Sequence, residues 1–97
     1  MRAEYDTQAG AIAITLGDLG VHANGSTPVH ERARVALLDG KPVDVEIRHP
    51  ERGIQEPLAA AAQRYGLDLD ALLAAASSAL SAPDRLVTLD VAAPSSG

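Results

Sequence analysis

The sequence predicts an α+β fold: a small antiparallel sheet of three to four strands with a two-helix hairpin packed on one of its faces. Apolar and polar residues alternate between residues 1 and 50, which is the pattern of half-buried strands. Between residues 54 and 82, apolar residues recur every three or four positions, which indicates amphipathic helices. The chain has 97 residues, enough for one domain and too few for two. We therefore predict a single domain over residues 1–91 and a disordered tail over residues 92–97.

Short strands are predicted near both ends of the domain. Residues 1–5 form the first strand, and residues 11–16 form the second because alternate apolar side chains share one face. Residues 17–28 contain several glycines, an asparagine and a proline, which predicts a loop. The alternation over residues 86–91 predicts a last strand, and the order of the strands in the sheet stays open.

The clearest hairpin joins a strand over residues 29–38 to a strand over residues 41–48. A two-residue turn would put the apolar rows of the two strands on opposite faces, because a slip of one residue turns every side chain over. We therefore predict a loop with an odd number of residues, centred on Gly40. This register sets three pairs opposite each other: Leu37 with Val43, Val35 with Val45, and Arg34 with Glu46.

Two helices follow the hairpin. The first runs over residues 54–65, with Pro57 tolerated in its first turn and Gly66 as its C-terminal cap. Asp68 can cap the second helix, which runs to about Leu80. The apolar stripe predicted for the second helix consists of Leu69, Leu72, Leu73, Ala76 and Leu80.

Composition excludes several functions. The chain has no cysteine, so disulfides and thiolate chemistry are ruled out. Its 8 basic and 13 acidic residues give a net charge of -5, which argues against nucleic-acid binding on electrostatic grounds. No nucleophile motif, paired acid or phosphate loop is evident, so we predict a protein that is not an enzyme and has no cofactor. No stretch approaches the roughly 20 apolar residues of a membrane span, and residues 1–10 lack the apolar segment of a signal peptide, so we expect a cytoplasmic protein.

Two histidines are candidates for a metal site. The predicted register places His30 and His49 near each other, where Glu31 or Glu51 could complete a ligand set. Histidines that end strands at a surface are far commoner, and no histidine pair has a spacing typical of metal ligands. We therefore assign no metal ligands, and whether these histidines form a site stays open.

A helix-turn-helix motif is an alternative over residues 54–80. Ala62, Gly66 and Leu72 have the spacing at which the small residue, the turn and the packing residue occur in DNA readers. Such a reader needs basic or amide side chains on its second helix, and this helix begins with acids and carries no basic residue. The spacing also fits any tight helical corner.

A sheet with helices on one side leaves its other side open for a partner. Alanines on this face would lie among Arg32, Arg34, Asp44 and Glu46, which we predict as partner-binding residues. The leading interpretation is an accessory protein, bacterial or from a phage, that acts through protein–protein contacts as a homodimer. The alternative is an acidic antitoxin-like protein or inhibitor that neutralises a basic protein partner.

Residues 4–48 resemble the opening of a family of small bacterial domains of unknown function. The similarity consists of Tyr5-Asp6 with Ala9 shortly after it, the Asp39-Gly40 turn, and the strand Val43-Asp44-Val45-Glu46-Ile47. Gly10 stands where an aspartate is usual in this family, and the C-terminal helices lie outside its pattern. The resemblance implies a small antiparallel sheet with a helix, and it implies no activity.

Overall fold

The computed structural model describes residues 1–17 and 21–89. These residues form one antiparallel sheet with the strand order β3-β4-β5-β2-β1-β6, together with two α helices and a short 3-10 helix over Pro50–Arg52. The α+β class is therefore confirmed, but the sheet has six strands in the described residues, not three to four. The strands and helices are β1 Arg2–Asp6, β2 Ala11–Thr15, β3 Gly25–His30, β4 Ala33–Leu38, β5 Lys41–Arg48, α1 Gln55–Tyr65, α2 Leu69–Ser81 and β6 Leu86–Thr88.

The sheet is larger than predicted because the chain turns back between β3 and β4. The long strand expected over residues 29–38 is divided by a turn at Glu31 and Arg32, and most of β3 lies in the expected loop. An edge strand needs little apolar alternation and tolerates Pro28, so β3 lacks the usual strand pattern. The turn also lacks glycine, and His30 Nδ1 accepts a hydrogen bond from the backbone N–H of Arg32 at 3.1 Å.

The β4–β5 hairpin confirms two of the three predicted pairs and corrects the third. Val35 faces Val45 and Arg34 faces Glu46, but Leu37 faces Pro42, so the pairing of Leu37 with Val43 is wrong. The turn has two residues, Asp39 and Gly40, whose φ angles of 52° and 82° fit the left-handed conformation of a tight hairpin. Val43 is left unpaired as a bulge, which restores the register that keeps both apolar rows on one face.

Both helices pack on the same face of the sheet, and the core lies between this face and the two helices. Helix α1 packs against β3, β4 and β5, whereas α2 packs against β1, β2 and β6. On α2, Leu72 and three alanines that we call the alanine row (Ala75, Ala76 and Ala79) are fully buried. Leu72 and Ala76 of the predicted stripe are therefore in the core, while Leu69, Leu73 and Leu80 are only partly buried at its margins. The fully buried core residues are Ala3, Ile12, Ile14, Val35, Val45, Ile47, Leu58, Ala61, Leu72, Ala75, Ala76 and Ala79.

The predicted helix ends are confirmed. Gly66 follows α1 with a φ of 65°, and its N–H donates to the carbonyl of Ala62. Asp68 caps α2, because its side chain accepts a hydrogen bond from the N–H of Ala71 at 3.2 Å. The last predicted strand is present as Leu86–Thr88 and ends before Leu89, so it is shorter than predicted there; residues 90–91 and the expected tail over residues 92–97 lie outside the described residues. In the part of the chain that the structure describes, no helix has the length and apolar character needed to cross a membrane.

Candidate interaction surface

The side of the sheet opposite the helices is left uncovered by the described residues, and we call it the uncovered face. The residues of this face follow from strand alternation, because the sequence neighbours of each buried strand residue point to the opposite side of the sheet. Its members are Arg2, Glu4 and Asp6 of β1, Ala11, Ala13 and Thr15 of β2, Ser26 and Pro28 of β3, Arg34 and Ala36 of β4, Asp44, Glu46 and Arg48 of β5, and Leu86 and Thr88 of β6.

The strand register arranges most of this face in two rows that cross all six strands, and Asp6, Ala11 and Arg48 form a shorter third row over β1, β2 and β5. The first row, from one edge to the other, is Leu86, Glu4, Ala13, Glu46, Arg34 and Pro28. The second row is Thr88, Arg2, Thr15, Asp44, Ala36 and Ser26. Small residues therefore separate the charged residues of β1 from those of β5, and each row carries both signs of charge.

A shallow depression of about 250 Å³ lies on the uncovered face over β2, β4 and β5. It is lined by Ala13, Arg34, Ala36, Asp44 and Glu46, so it contains three of the four residues predicted to bind a partner. The depression arises because the two alanines leave space between the longer side chains.

Arg32, the fourth predicted residue, lines a smaller depression of about 90 Å³ that adjoins the first through Arg34 and Glu46. Its guanidinium donates from Nη1 to the carbonyl oxygens of Arg48 at 3.1 Å and His49 at 2.8 Å. Arg32 therefore joins the end of the β3–β4 turn to the end of β5, and the structure brings all four predicted residues to one region.

Asp44 is half-buried on this face. Burial raises the pKa of its carboxyl group to about 6, and the nearby carboxylate of Glu46 acts in the same direction. A carboxylate in this environment is poorly hydrated. Its charged form would gain from a hydrogen-bond donor or a cation brought by another molecule.

Arg34 and Glu46 face each other in the register but are not joined as an ion pair. Arg34 Nη1 donates instead to Ser26 Oγ at 2.8 Å. Among the described residues, no arginine or lysine nitrogen lies within 4.0 Å of a carboxylate, and the only ion-pair contacts involve histidines. The charges of the uncovered face are therefore not used in pairing with each other.

The histidines contact different carboxylates. His49 Nδ1 lies 3.4 Å from Glu51 Oε2, and His30 Nε2 lies 4.0 Å from Glu56 Oε1. The contact of His30 with Glu56 was missed because it depends on where α1 crosses β3. Residues 1–17 and 21–89 contain no group of three or more histidine and acidic side chains placed to hold a metal ion.

The helical corner expected from Ala62, Gly66 and Leu72 is present, since α1 ends at the Gly66 cap and Leu72 is fully buried. Helix α2 presents its alanine row to the sheet, and its exposed positions include Asp70 and Ser77. At this corner the chain turns so that both helices pack on one sheet.

The sequence did not reveal that β1 brings a second set of charged residues to the uncovered face. Arg2 and Glu4 alternate with apolar neighbours, which marks them as residues of one face, but only the strand order shows that they share it with Arg34 and Asp44. No family model, curated protein or solved structure matches this chain. The family resemblance of residues 4–48 therefore stays a prediction, and any functional proposal depends on the geometry alone.

Proposed function

We propose that this chain is a non-enzymatic accessory protein that acts through protein–protein contacts made by the uncovered face of its sheet. The observation that carries this proposal is the depression over β2, β4 and β5, where alanines lie beside the half-buried Asp44. An antiparallel sheet often has one solvated face, and such a face is normally evenly polar. Here the alanines and the poorly hydrated carboxylate of Asp44 instead suit a surface that a bound partner covers.

A protein partner fits this face better than a nucleic acid. Each row carries acidic and basic residues, and the net charge of the chain is -5. A phosphate backbone requires a surface with an excess of positive charge. A protein surface can supply both signs, together with small apolar groups that fill the spaces over Ala13 and Ala36.

The second candidate function is neutralisation of a basic protein partner, as an antitoxin-like protein or inhibitor does. Asp44 and Glu46 favour this candidate because both line the same depression. A lysine or arginine side chain of a partner would replace the hydration that Asp44 lacks. This candidate differs from a general adaptor in the charge of its partner and in the salt dependence of the complex.

The test is affinity capture with the tagged chain from lysate of the source organism at two salt concentrations, read by mass spectrometry. The expected result is one protein in stoichiometric amount, which is lost with the variant R34A/E46A. It should be kept with the control variant Q63A/R64A, because those exposed residues lie on α1 at the far side of the sheet. A captured protein of high pI that is released at high salt would favour the neutraliser. Capture of nucleic acid alone, or capture that R34A/E46A leaves intact, would contradict the proposal.

A further inference from the structure

The uncovered face has a self-complementary pattern of charge. Strand β4, which carries Arg34, is the second strand from one edge of the sheet, and β1, which carries Glu4, is the second strand from the other edge. Both residues belong to the same row across the sheet. They are separated by three strand spacings, about 14 Å, so they do not pair within one chain.

We propose that a second copy of this chain occupies the uncovered face, related to the first by a two-fold axis that runs parallel to the strands midway between β5 and β2. This inference rests on the proposed function and names the partner of that same surface. The rotation places β4 over β1, β5 over β2, and β3 over β6 of the second copy. All six strands of the described sheet are then covered.

The first row is complementary under this rotation. Arg34 faces Glu4 of the second copy, and the same pair forms again by symmetry. Glu46 comes to lie over Ala13, and Pro28 over Leu86, whose side chain is 54% exposed in the single chain. The row therefore combines two opposite-charge pairs with an apolar contact at each edge, and Glu46 keeps Arg34 of its own chain as its basic neighbour in the row.

The second row contains no like-charge pair. Asp44 faces Thr15 of the second copy, whose hydroxyl is a hydrogen-bond donor for the poorly hydrated carboxylate. Ala36 faces Arg2, and Ser26 faces Thr88, which places small or hydroxyl side chains opposite each other. Aligned sheets pack about 10 Å apart, and the alanines of the uncovered face permit this spacing. Across the same distance, an arginine side chain of one sheet can reach a glutamate of the other.

Other two-fold axes along the strands fit less well. An axis on β5 places Glu46 over its own symmetry copy, which opposes two carboxylates. An axis midway between β4 and β5 pairs Arg34 with Glu46 but leaves β1 and β6 uncovered, including the exposed Leu86. The central axis is therefore favoured both by charge and by the area that it covers.

The test is a charge exchange between two separately purified variants, R34E and E4R, studied by sedimentation velocity over a concentration series. The wild-type chain should dimerise. Each variant alone should show a dimer dissociation constant raised at least about tenfold, because like charges then face each other twice. An equimolar mixture should dimerise again, because each introduced charge meets its opposite on the other chain. Recovery in the mixture cannot come from a contact within one chain.

Two controls separate a contact at the uncovered face from a change in net charge or in folding. R64E changes the net charge by the same amount as R34E but lies on α1, on the far side of the sheet, and should dimerise like the wild type. Circular dichroism melts should show that R34E and E4R fold, as expected for exposed side chains. A mixture of R34E with E46R distinguishes the axis between β4 and β5, and recovery in that mixture alone would overturn the central axis.

The failure of this inference is distinguishable from failure of the proposed function. If the wild-type chain is monomeric at every concentration while R34A/E46A abolishes capture of a different protein, the second copy is excluded and the binding function stands. If the chain is monomeric and captures nothing through this face, both are wrong. If the wild type dimerises but the mixture of R34E and E4R stays monomeric, the proposed axis is wrong.

Discussion

The two faces of the sheet use the same small residue for different purposes. On the covered face, Ala3 and the alanine row of α2 are fully buried and let the helix approach the strands closely. On the uncovered face, Ala13 and Ala36 lie between charged side chains and leave a depression. The comparison shows that a small residue promotes contact only where a complementary surface is present, and on the uncovered face that surface has to come from another molecule.

The largest effect on stability should come from a cavity between α2 and the covered face. Leu72 of α2 is fully buried, so Leu72→Ala should lower the free energy of unfolding by about 3 kcal/mol. The measurement is urea denaturation followed by circular dichroism. Arg34→Ala on the uncovered face provides the contrast and should change the free energy of unfolding of the monomer by less than about 0.5 kcal/mol. Similar losses of free energy for both variants would contradict the division of the sheet into a covered face and an uncovered face.

Overpacking should produce the next largest effect. Ala75 is fully buried against the sheet, so Ala75→Leu should destabilise the fold by roughly 1–3 kcal/mol because α2 has to move outward. Ala74 is the adjacent residue on the same helix but is exposed, and Ala74→Leu should stay within about 0.5 kcal/mol of the wild type. Thermal melts of the two variants give the comparison directly. Equal melting temperatures would show that α2 does not depend on its alanine row for close packing.

Sequence patterns predicted the parts of the fold that depend on local chemistry. The cap at Asp68, the end of α1 at Gly66 and the pairing of Val35 with Val45 all follow from residues close in sequence or from one apolar row. Strand β3 was missed because its own residues do not alternate between apolar and polar. It is a strand because its backbone pairs with β4, which is a contact that no local pattern reveals. The bulge at Val43 was missed because the predicted register puts the extra residue in the loop, as an odd-numbered turn centred on Gly40. The structure keeps a two-residue turn and places the extra residue in β5.

The candidate surface was only half predictable. Arg34, Asp44 and Glu46 come from one hairpin, so their common face could be read from alternation. Glu4 and Arg2 reach the same face through the order β5-β2-β1, which requires long-range pairing and cannot be deduced from any local pattern. The self-complementary arrangement of charge depends on that order.

A smaller effect on stability should be seen at Asp44 of the uncovered face, because the partly buried charge of its carboxylate destabilises the folded state. Its pKa is raised from 3.8 to about 6, so the folded state disfavours the charged form, and stability falls as pH rises through this interval. The shift alone corresponds to about 3 kcal/mol, and solvent screening at this half-buried site reduces the contribution to about 1 kcal/mol. Asp44→Asn should therefore raise the free energy of unfolding at pH 7 by about 1 kcal/mol. The gain should disappear below about pH 4, where both states of the wild type are protonated.

Glu46→Gln is the matched control for this prediction. It removes the neighbouring carboxylate but leaves the burial of Asp44, so the pKa of Asp44 should fall only part of the way towards 3.8. An NMR titration of the Asp44 carboxyl group measures this change. A return of the pKa to 3.8 would mean that charge repulsion, not burial, dominates at this surface.

The smallest effect should be found at Asp84, a carboxylate whose environment is the reverse of that of Asp44. Asp84 is exposed and accepts hydrogen bonds from the backbone N–H of Thr7 at 3.0 Å and from Thr7 Oγ1 at 2.8 Å. These bonds lower the pKa of Asp84 below 3.8, with the backbone bond as the larger cause, so they stabilise the fold above that pH and are lost as pH falls through the lowered pKa. Thr7→Val removes the hydroxyl and keeps the backbone donor, so the pKa of Asp84 should rise only partly towards 3.8 in an NMR titration. An unchanged pKa would mean that the backbone bond alone holds the charge, and the contrast with the half-buried Asp44 would then depend on the backbone conformation rather than on side-chain donors.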